Sequence, residues 1–342
     1  MIVRARAPLR LGLAGGGTDV APYCDLHGGC VMNATINRYA HATVEDAADG
    51  ALVLAALDRD VQLRCAPEAL QPDSGPLQLL AGAYLRICRE YLGGKRPPLR
   101  ISTWSDAPPG SGLGSSSTLV VALVTALAEF FNLALGEYEI ARLAYEIERV
   151  DLGLAGGKQD QYAAAFGGFN FMEFQAGERV IVNPLRMKEW VVAELEASLL
   201  LYFTGVSRES AKIIDEQARN AASGASRSVD AMHQLKLEAV QMKEHLLRGD
   251  LRAFANTLQQ GWVAKKQMAS SISNPMIDAL ESLAQAHGAR ATKVSGAGGG
   301  GFMMFVCDPA DRIRLSKVLA AQGGNLLDFH FNPGGAVAWR VA

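Results

Sequence analysis

A run of small residues in front of an apolar helix is the feature that most constrains this chain. Residues 108 to 117 read P-P-G-S-G-L-G-S-S-S and lead directly into the apolar segment Leu119 to Phe131. This pattern predicts a glycine-rich loop that opens a helix. The first N–H groups of a helix have no acceptor within it and lie at the positive end of its dipole, so they bind anions. Gly110, Gly112 and Gly114 let main-chain amides approach such an anion without an intervening Cβ. The loop therefore predicts a phosphate site and a nucleotide-dependent phosphotransferase.

Other phosphate-binding loops fit this sequence less well. A Walker A loop needs G-x-x-x-x-G-K-[ST], and no lysine occurs between Lys95 and Lys158. A dinucleotide fingerprint needs a third glycine where Ser115 stands, and the glycine run at 296 to 301 leads into a predicted strand instead of a helix. The remaining alternative is a surface loop before a serine-capped helix. A cap needs one hydroxyl and does not explain glycines at alternate positions.

Composition excludes several classes of function. The 33 basic and 35 acidic residues give a net charge of −2 without a basic run, so nucleic acid is not an expected partner. The 5 cysteines form no C-x-x-C pair, which argues against a disulfide framework and a zinc site. Arg4, Arg6 and Arg10 interrupt the start of the chain, and no apolar run reaches the ~18 residues of a membrane span. We expect a cytoplasmic protein with no membrane partner.

The secondary-structure pattern predicts two domains, as does the length of 342 residues. Ile2 to Leu13 alternate apolar and basic residues, as in a half-buried strand, and further strands and helices alternate up to residue 185. Long helical patterns follow, including Leu251 to Met268, with short strands up to Val341. We expect domains at residues 1–185 and 186–342.

Three segments in this order resemble the signatures of the GHMP kinases, the family of galactokinase, homoserine kinase, mevalonate kinase and phosphomevalonate kinase. They are A-P-L-R-L-G-L-A-G-G-G-T-D at 7 to 19, P-P-G-S-G-L-G-S-S-S at 108 to 117, and K-V-S-G-A-G-G-G-G at 293 to 301. The resemblance implies an α+β protein with an N-terminal ribosomal-protein-S5-like α/β domain and a C-terminal ferredoxin-like α+β domain. It also implies an active site between the two.

Four shorter segments are most similar to the bacterial kinases of D-glycero-D-manno-heptose 7-phosphate: G-G-G-T-D-V at 15, G-G-K-Q-D-Q-Y at 156, F-T-G-V-S-R at 203 and I-S-N-P-M-I-D at 272. This likeness implies ATP-dependent phosphorylation of the anomeric C1 hydroxyl, giving the 1,7-bisphosphate for GDP-heptose and surface polysaccharide. A fucokinase-like or galactokinase-like sugar kinase and a non-catalytic ligand-binding regulator stay open as alternatives. A homodimer also stays open.

The resemblance assigns the reacting groups. Asp160 would be the catalytic carboxylate that accepts or orients the proton of the sugar hydroxyl, and Arg10 would neutralise charge beside the γ-phosphate. Ser116 and Glu148 would hold Mg²⁺, which takes oxygen ligands beside nucleotide phosphates. The ATP phosphates would lie on the loop residues Gly110, Ser111, Gly112, Leu113, Gly114, Ser115 and Ser116.

The substrate would lie against the first motif. By resemblance Thr18 and Asp19 bind the sugar, and Gly16 and Gly17 stand where galactokinase has an acidic residue and a histidine. Bare amides in place of a carboxylate suit a sugar that already carries a phosphate. Candidates for a cationic pocket around that phosphate are Lys158 and Arg208. The third motif is expected to close over the nucleotide or to brace the loop at 110 to 116.

Overall fold

The computed structural model describes residues 1–177, 179–206, 210–222 and 226–341. Two β-sheets and the helices packed on them make up this part of the chain. Its strands are β1 Ile2–Ala14, β2 Gly29–Asp46, β3 Leu52–Ala56, β4 Val61–Cys65, β5 Leu99–Ser105, β6 Phe169–Phe174, β7 Val180–Pro184, β8 Leu199–Phe203, β9 Ala289–Val294, β10 Phe302–Cys307, β11 Asn325–Leu327 and β12 Val337–Val341. Its helices are α1 Tyr23–His27, α2 Gln78–Tyr91, α3 Ser115–Phe131, α4 Glu137–Glu146, α5 Gln159–Phe166, α6 Glu189–Ser198, α7 Ser210–Ala222, α8 Ser226–Arg248, α9 Leu251–Lys266, α10 Pro275–Ala286 and α11 Arg312–Ala320.

The first sheet is built around β2, an 18-residue strand that pairs with β1 along its length. One half of β2 pairs with β5 and the other half with β6, and the strand order is β12-β1-β2-β5-β3-β4 with β6 and β7 branching from β2. The β1–β2 register shifts between Pro8 and Arg10. Such a bulge re-aims the side chains beside it, and it also accommodates a proline that cannot donate to the ladder. The bulge therefore lies next to the predicted cation of the site.

The second sheet is antiparallel, with the order β11-β8-β10-β9. Leu9, Leu11 and Leu13 of β1 belong to the same buried cluster as Phe302 and Met304 of β10. The second half of β1 thus lies in a core that both sheets share. Helix α3 is buried along most of its length against β1 and β2, as expected for an apolar helix without a polar face.

The boundary at residue 185 falls between β7 and α6 and remains a prediction. Strand β12 pairs antiparallel with β1, with Ala5 opposite Ala338. The segment 186–342 proposed from the sequence therefore includes a strand that lies in the first sheet. Among the described residues, no helix is both long enough and apolar enough to cross a bilayer.

Candidate active site

A cleft of about 490 Å³ lies where the end of β1, the glycine loop and the start of α5 meet. The second half of the chain contributes Gln217 of α7, Lys265 of α9 and residues 296–297. Ten of the residues predicted from the sequence line it: Arg10, Gly17, Asp19, Gly110, Gly112, Gly114, Ser115, Ser116, Glu148 and Asp160. The fold thus collects predicted nucleotide, metal and sugar residues in one place.

The glycine loop has the conformation that its sequence predicts. Gly112 and Gly114 have φ values of 82° and 77°, in the region that favours glycine. Helix α3 begins at Ser115, and no side-chain hydrogen bond caps it. The serine-capped surface loop considered above is therefore wrong. The free N–H groups of this helix start remain available for an anion. Ser111 and Leu113, two residues of the loop, are fully buried and anchor it.

The third motif, at 293 to 301, braces this loop, which is one of the two roles expected for it from the sequence. The Phe302 N–H donates to the Ser111 carbonyl at 2.8 Å, and the Ser295 hydroxyl donates to the Gly112 carbonyl at 3.0 Å. A Cβ on Gly112 would lie 2.4 Å from the Ser295 carbonyl oxygen. The two motifs are thus packed backbone to backbone, so the loop is held from both halves of the chain.

Arg10 and Asp160 form an ion pair at the wall of the cleft. The Arg10 Nε and one terminal guanidinium nitrogen lie 2.6 and 2.5 Å from Asp160 Oδ1. A second guanidinium nitrogen donates to the Gly112 carbonyl at 2.6 Å, and the Arg10 N–H donates to the Leu113 carbonyl at 3.1 Å. Arg10 is only 3% exposed, so its guanidinium group is fixed in one orientation. The pair attaches the carboxylate directly to the phosphate loop. Within the described part of the chain no hydrogen bond occupies Asp160 Oδ2, which is therefore free to accept a proton.

Glu148 is a buried carboxylate that reaches the start of α3. It lies in a π-type turn over Ile147–Asp151, a distortion common at functional sites, and it is 1% exposed. The Ser116 hydroxyl donates to Oε1 at 3.1 Å, and the Gln161 amide donates to Oε2 at 2.5 Å. A hydroxyl and a carboxylate beside the phosphate loop form the kind of hard oxygen pair that Mg²⁺ takes together with nucleotide phosphates. The residues present therefore fit that ion.

Asp19 connects the first motif to the start of α5. Its carboxylate accepts from the Gly17 N–H at 3.2 Å and from the N–H groups of Lys158 and Gln159 at 2.9 and 3.0 Å. It therefore orients the turn that carries Asp160 while it also lines the cleft. Thr18 is fully buried, and its hydroxyl donates to the Gly15 carbonyl at 2.8 Å. The structure thus brings Asp19 to the cleft and uses Thr18 to hold the turn.

Family comparisons test the resemblance on which these assignments rest. A model of the GHMP kinases N terminal domain matches residues 78–168, and a model of the GHMP kinases C terminal region matches residues 242–325. A relative named D-glycero-alpha-D-manno-heptose 7-phosphate kinase, from Campylobacter jejuni subsp. jejuni serotype O:2, is 46% identical over 341 residues and 99% of both chains. The chain belongs to the GHMP kinases. The family predicted from three motifs is confirmed, and with it the kinase class.

Two solved structures of similar proteins agree. A D-glycero-D-manno-heptose 1-phosphate kinase from Bacteriodes thetaiotaomicron is 44% identical, superimposes with a TM-score of 0.85 and matches 99% of both chains. A putative sugar kinase from Campylobacter jejuni is 45% identical with a TM-score of 0.82, over 99% of this chain and 98% of that one. The two-domain α+β architecture expected for the family is therefore confirmed.

Of the two cations predicted to bind the substrate phosphate of this GHMP kinase, Lys158 does not line the cleft. Lys158 is 6% exposed, and its ammonium lies 5.6 Å from the centre of the Tyr145 ring, away from the cleft lining. The main chain of Lys158 is what serves the site, through its hydrogen bond to Asp19. Arg208 lies outside the described residues.

Sequence reasoning missed Lys265, a lysine of α9 that lines the cleft and is 3% exposed. Its ammonium donates to the Gly296 carbonyl at 2.6 Å. Burial, followed by the charge of Arg10, lowers the pKa of Lys265 to about 8, whereas Asp19 and Asp160 act in the opposite direction. A signal was present: Leu258, Trp262 and Lys265 follow one another at the spacing of a buried helix face.

Proposed function

We propose that this GHMP kinase transfers the γ-phosphoryl group of ATP to the anomeric O1 of D-glycero-D-manno-heptose 7-phosphate, giving the 1,7-bisphosphate. The observation that carries the proposal is the Arg10–Asp160 ion pair, which is hydrogen-bonded to the glycine loop within one cleft. The choice of sugar is supported by the full-length identity to relatives whose names both specify a heptose. Those names differ in the position of the substrate phosphate, so this position has to be measured.

The geometry supports a mechanism based on positioning and charge neutralisation, which is what phosphoryl transfer requires of a protein. The amides at the start of α3 would hold the nucleotide phosphates, and Asp160 Oδ2 would accept the hydrogen bond, and then the proton, of the sugar hydroxyl. Arg10 would keep that carboxylate in place and offset the charge that develops on the transferred group. Ser116 and Glu148 would hold Mg²⁺, which neutralises phosphate charge when bound.

The product would feed the synthesis of GDP-heptose and surface polysaccharide, and a cytoplasmic location is part of this proposal because ATP and sugar nucleotides are made there. A non-catalytic regulator is disfavoured, because the cleft holds an ion-paired carboxylate and a candidate metal site together. A galactokinase-like activity is disfavoured by Gly16 and Gly17, which replace an acidic residue and a histidine.

Labelled ATP with a panel of sugars tests the proposal. The panel contains the heptose as the free sugar, the 7-phosphate and the 1-phosphate, together with fucose and galactose. We expect turnover of the 7-phosphate to be the most efficient, with the new phosphate on C1 in the phosphorus NMR spectrum. Preferred turnover of fucose or galactose, or a new phosphate at another carbon, would contradict the assignment. Binding without turnover would indicate a regulator.

A further inference from the structure

In the part of the chain that the structure describes, no group that binds Lys265 balances its positive charge. Among the described residues its ammonium donates to one acceptor, the neutral carbonyl of Gly296, and no carboxylate lies within ion-pair distance. Asp19 already accepts three backbone N–H groups, and Asp160 is paired with Arg10. A buried cation without an anionic partner is costly, so it calls for a ligand that brings the missing charge.

The other cations of the cleft are already engaged. Among the described residues, the basic side chains that line the cleft are those of Arg10, Arg149 and Lys265. Arg10 holds Asp160 and the Gly112 carbonyl. Arg149 donates to the carbonyls of residues 154 and 155 and lies 3.8 Å from the carboxylate of Glu148. Of these three described residues, Lys265 is therefore the one whose charge remains available.

The position of Lys265 assigns it to the sugar side of the cleft. Its ammonium lies 3.5 Å from the point that a Cβ on Gly16 would occupy, within the motif implied to bind the sugar. The nucleotide phosphates have their own partners in the amides at the start of α3. With the nucleotide phosphates held by those amides, an anion beside Lys265 and Gly16 would come from the sugar substrate.

We propose that Lys265 binds the phosphate group of the sugar substrate and so makes this site select a phosphorylated sugar. The inference rests on the proposed function and adds a residue to it from the second half of the chain. Gly16 leaves open the space that a side chain would fill beside this ammonium, whereas a Cβ on Gly17 would lie 2.8 Å from the terminal methyl of Met268. The glycine turn thus gives the phosphate group access to the Lys265 ammonium, which binds it.

Substitution of Lys265 tests this inference. Lys265→Gln keeps an N–H donor toward the Gly296 carbonyl and removes the charge. The neighbouring Lys266, which lies outside the cleft and pairs with Glu281 at 3.0 Å, provides the matched control Lys266→Gln. The measurement is kcat/KM for D-glycero-D-manno-heptose 7-phosphate and for the unphosphorylated heptose, with each of the three proteins.

We expect Lys265→Gln to lower kcat/KM for the 7-phosphate by about 10- to 100-fold, the worth of a hydrogen bond to a charged group. Turnover of the free heptose and the KM for ATP should stay within about threefold of wild type. An equal loss on both sugars would overturn the inference, because a lysine that only supports the loop affects them alike. If wild type phosphorylates neither sugar, the proposed function fails; calorimetric binding of the 7-phosphate to wild type and Lys265→Gln then decides the role of the lysine.

The pH dependence gives a second readout. The charged groups that act on Lys265 are Arg10 of β1, Lys293 of β9, Asp19 and Asp160. Because the pKa of Lys265 is about 8, the KM of wild type for the 7-phosphate should rise above this pH as the ammonium loses its proton. In Lys265→Gln this rise should be absent, and a rise that persists there would contradict the role of the lysine.

Discussion

Replacement of Asp160 by asparagine is the most direct test of the candidate site. The change preserves the shape of the side chain and removes its charge and its ability to take a proton. The amide oxygen can still accept the two hydrogen bonds of Arg10, whose third contact, to the Gly112 carbonyl, is unaffected. Nucleotide binding at the glycine loop should therefore survive, and the loss should appear in turnover.

The size of the effect follows from what is removed. A positioned general base contributes about 10²- to 10⁴-fold in rate, so kcat should fall by that factor, equivalent to roughly 3–5 kcal/mol in the barrier. Arg10 is 3% exposed and would lose its counter-charge, but Asp160 itself is 22% exposed at its side chain. We therefore expect a stability loss of about 1–2 kcal/mol, below the roughly 3–5 kcal/mol of a fully buried pair.

Three measurements separate chemistry from folding: kcat and KM with labelled ATP, calorimetric binding of a non-hydrolysable ATP analogue, and denaturant unfolding. Asp308→Asn is the matched control, since Asp308 pairs with Arg290 at 2.9 Å on the surface and outside the cleft. That control should keep full turnover. A folded Asp160→Asn protein that binds the analogue and retains kcat within threefold of wild type would refute the assignment of Asp160 as the reacting carboxylate.

Three further changes follow from the same geometry. Glu148→Gln should raise the Mg²⁺ concentration needed for half-maximal activity by about 10-fold or more, and an unchanged Mg²⁺ titration would contradict the metal assignment. Gly112→Ala should lower the free energy of unfolding by roughly 1–3 kcal/mol, because its Cβ would lie 2.4 Å from the Ser295 carbonyl oxygen. The control is Gly50→Ala, at a residue with a similar φ of 72° where a Cβ would meet no atom within 4 Å. This control should lose less stability in the same denaturation experiment. Lys265→Met should raise stability at pH 7 by roughly 3 kcal/mol. Because the pKa of Lys265 in the folded protein, about 8, lies below the 10.5 of a free lysine, wild type gains stability as pH rises between these values, and the difference from the variant should shrink over that window. A difference that stays constant from pH 7 to 10 would exclude this origin.

Local periodicity was sufficient for most of the elements. The alternation from Ile2 to Leu13 became β1, in which burial alternates as far as Arg6 and is continuous beyond it. The apolar segment Leu119 to Phe131 became most of α3, which is buried around most of its circumference. The five-residue helix α1 and the three-residue strand β11 went unpredicted, since neither is long enough to show a period. Element identity was thus readable wherever one face is continuously buried.

The site residues that belong to a sequence motif could be predicted. Those whose position depends on tertiary packing could not. The glycine loop, Arg10 and Asp160 follow from the signatures, and the structure places them in one cleft. The direction of the Lys158 side chain toward Tyr145 depends on how α5 packs against α4 and could not be deduced from sequence. Lys265 is separated from the first motif by most of the chain, so only the folded structure shows that the two meet.

The pairing of β12 with β1 bears on how this protein is made in the cell. Strand β1 carries Arg10, yet one of its edges stays open until residues 337–341 have left the ribosome. Closing so distant a contact is slow, because the entropy of the intervening chain must be overcome first. During synthesis the unpaired edge of β1 is a place where chains can associate wrongly or chaperones can bind. Catalytic competence is therefore expected to arise only after residues 337–341 have been synthesised and have paired with β1.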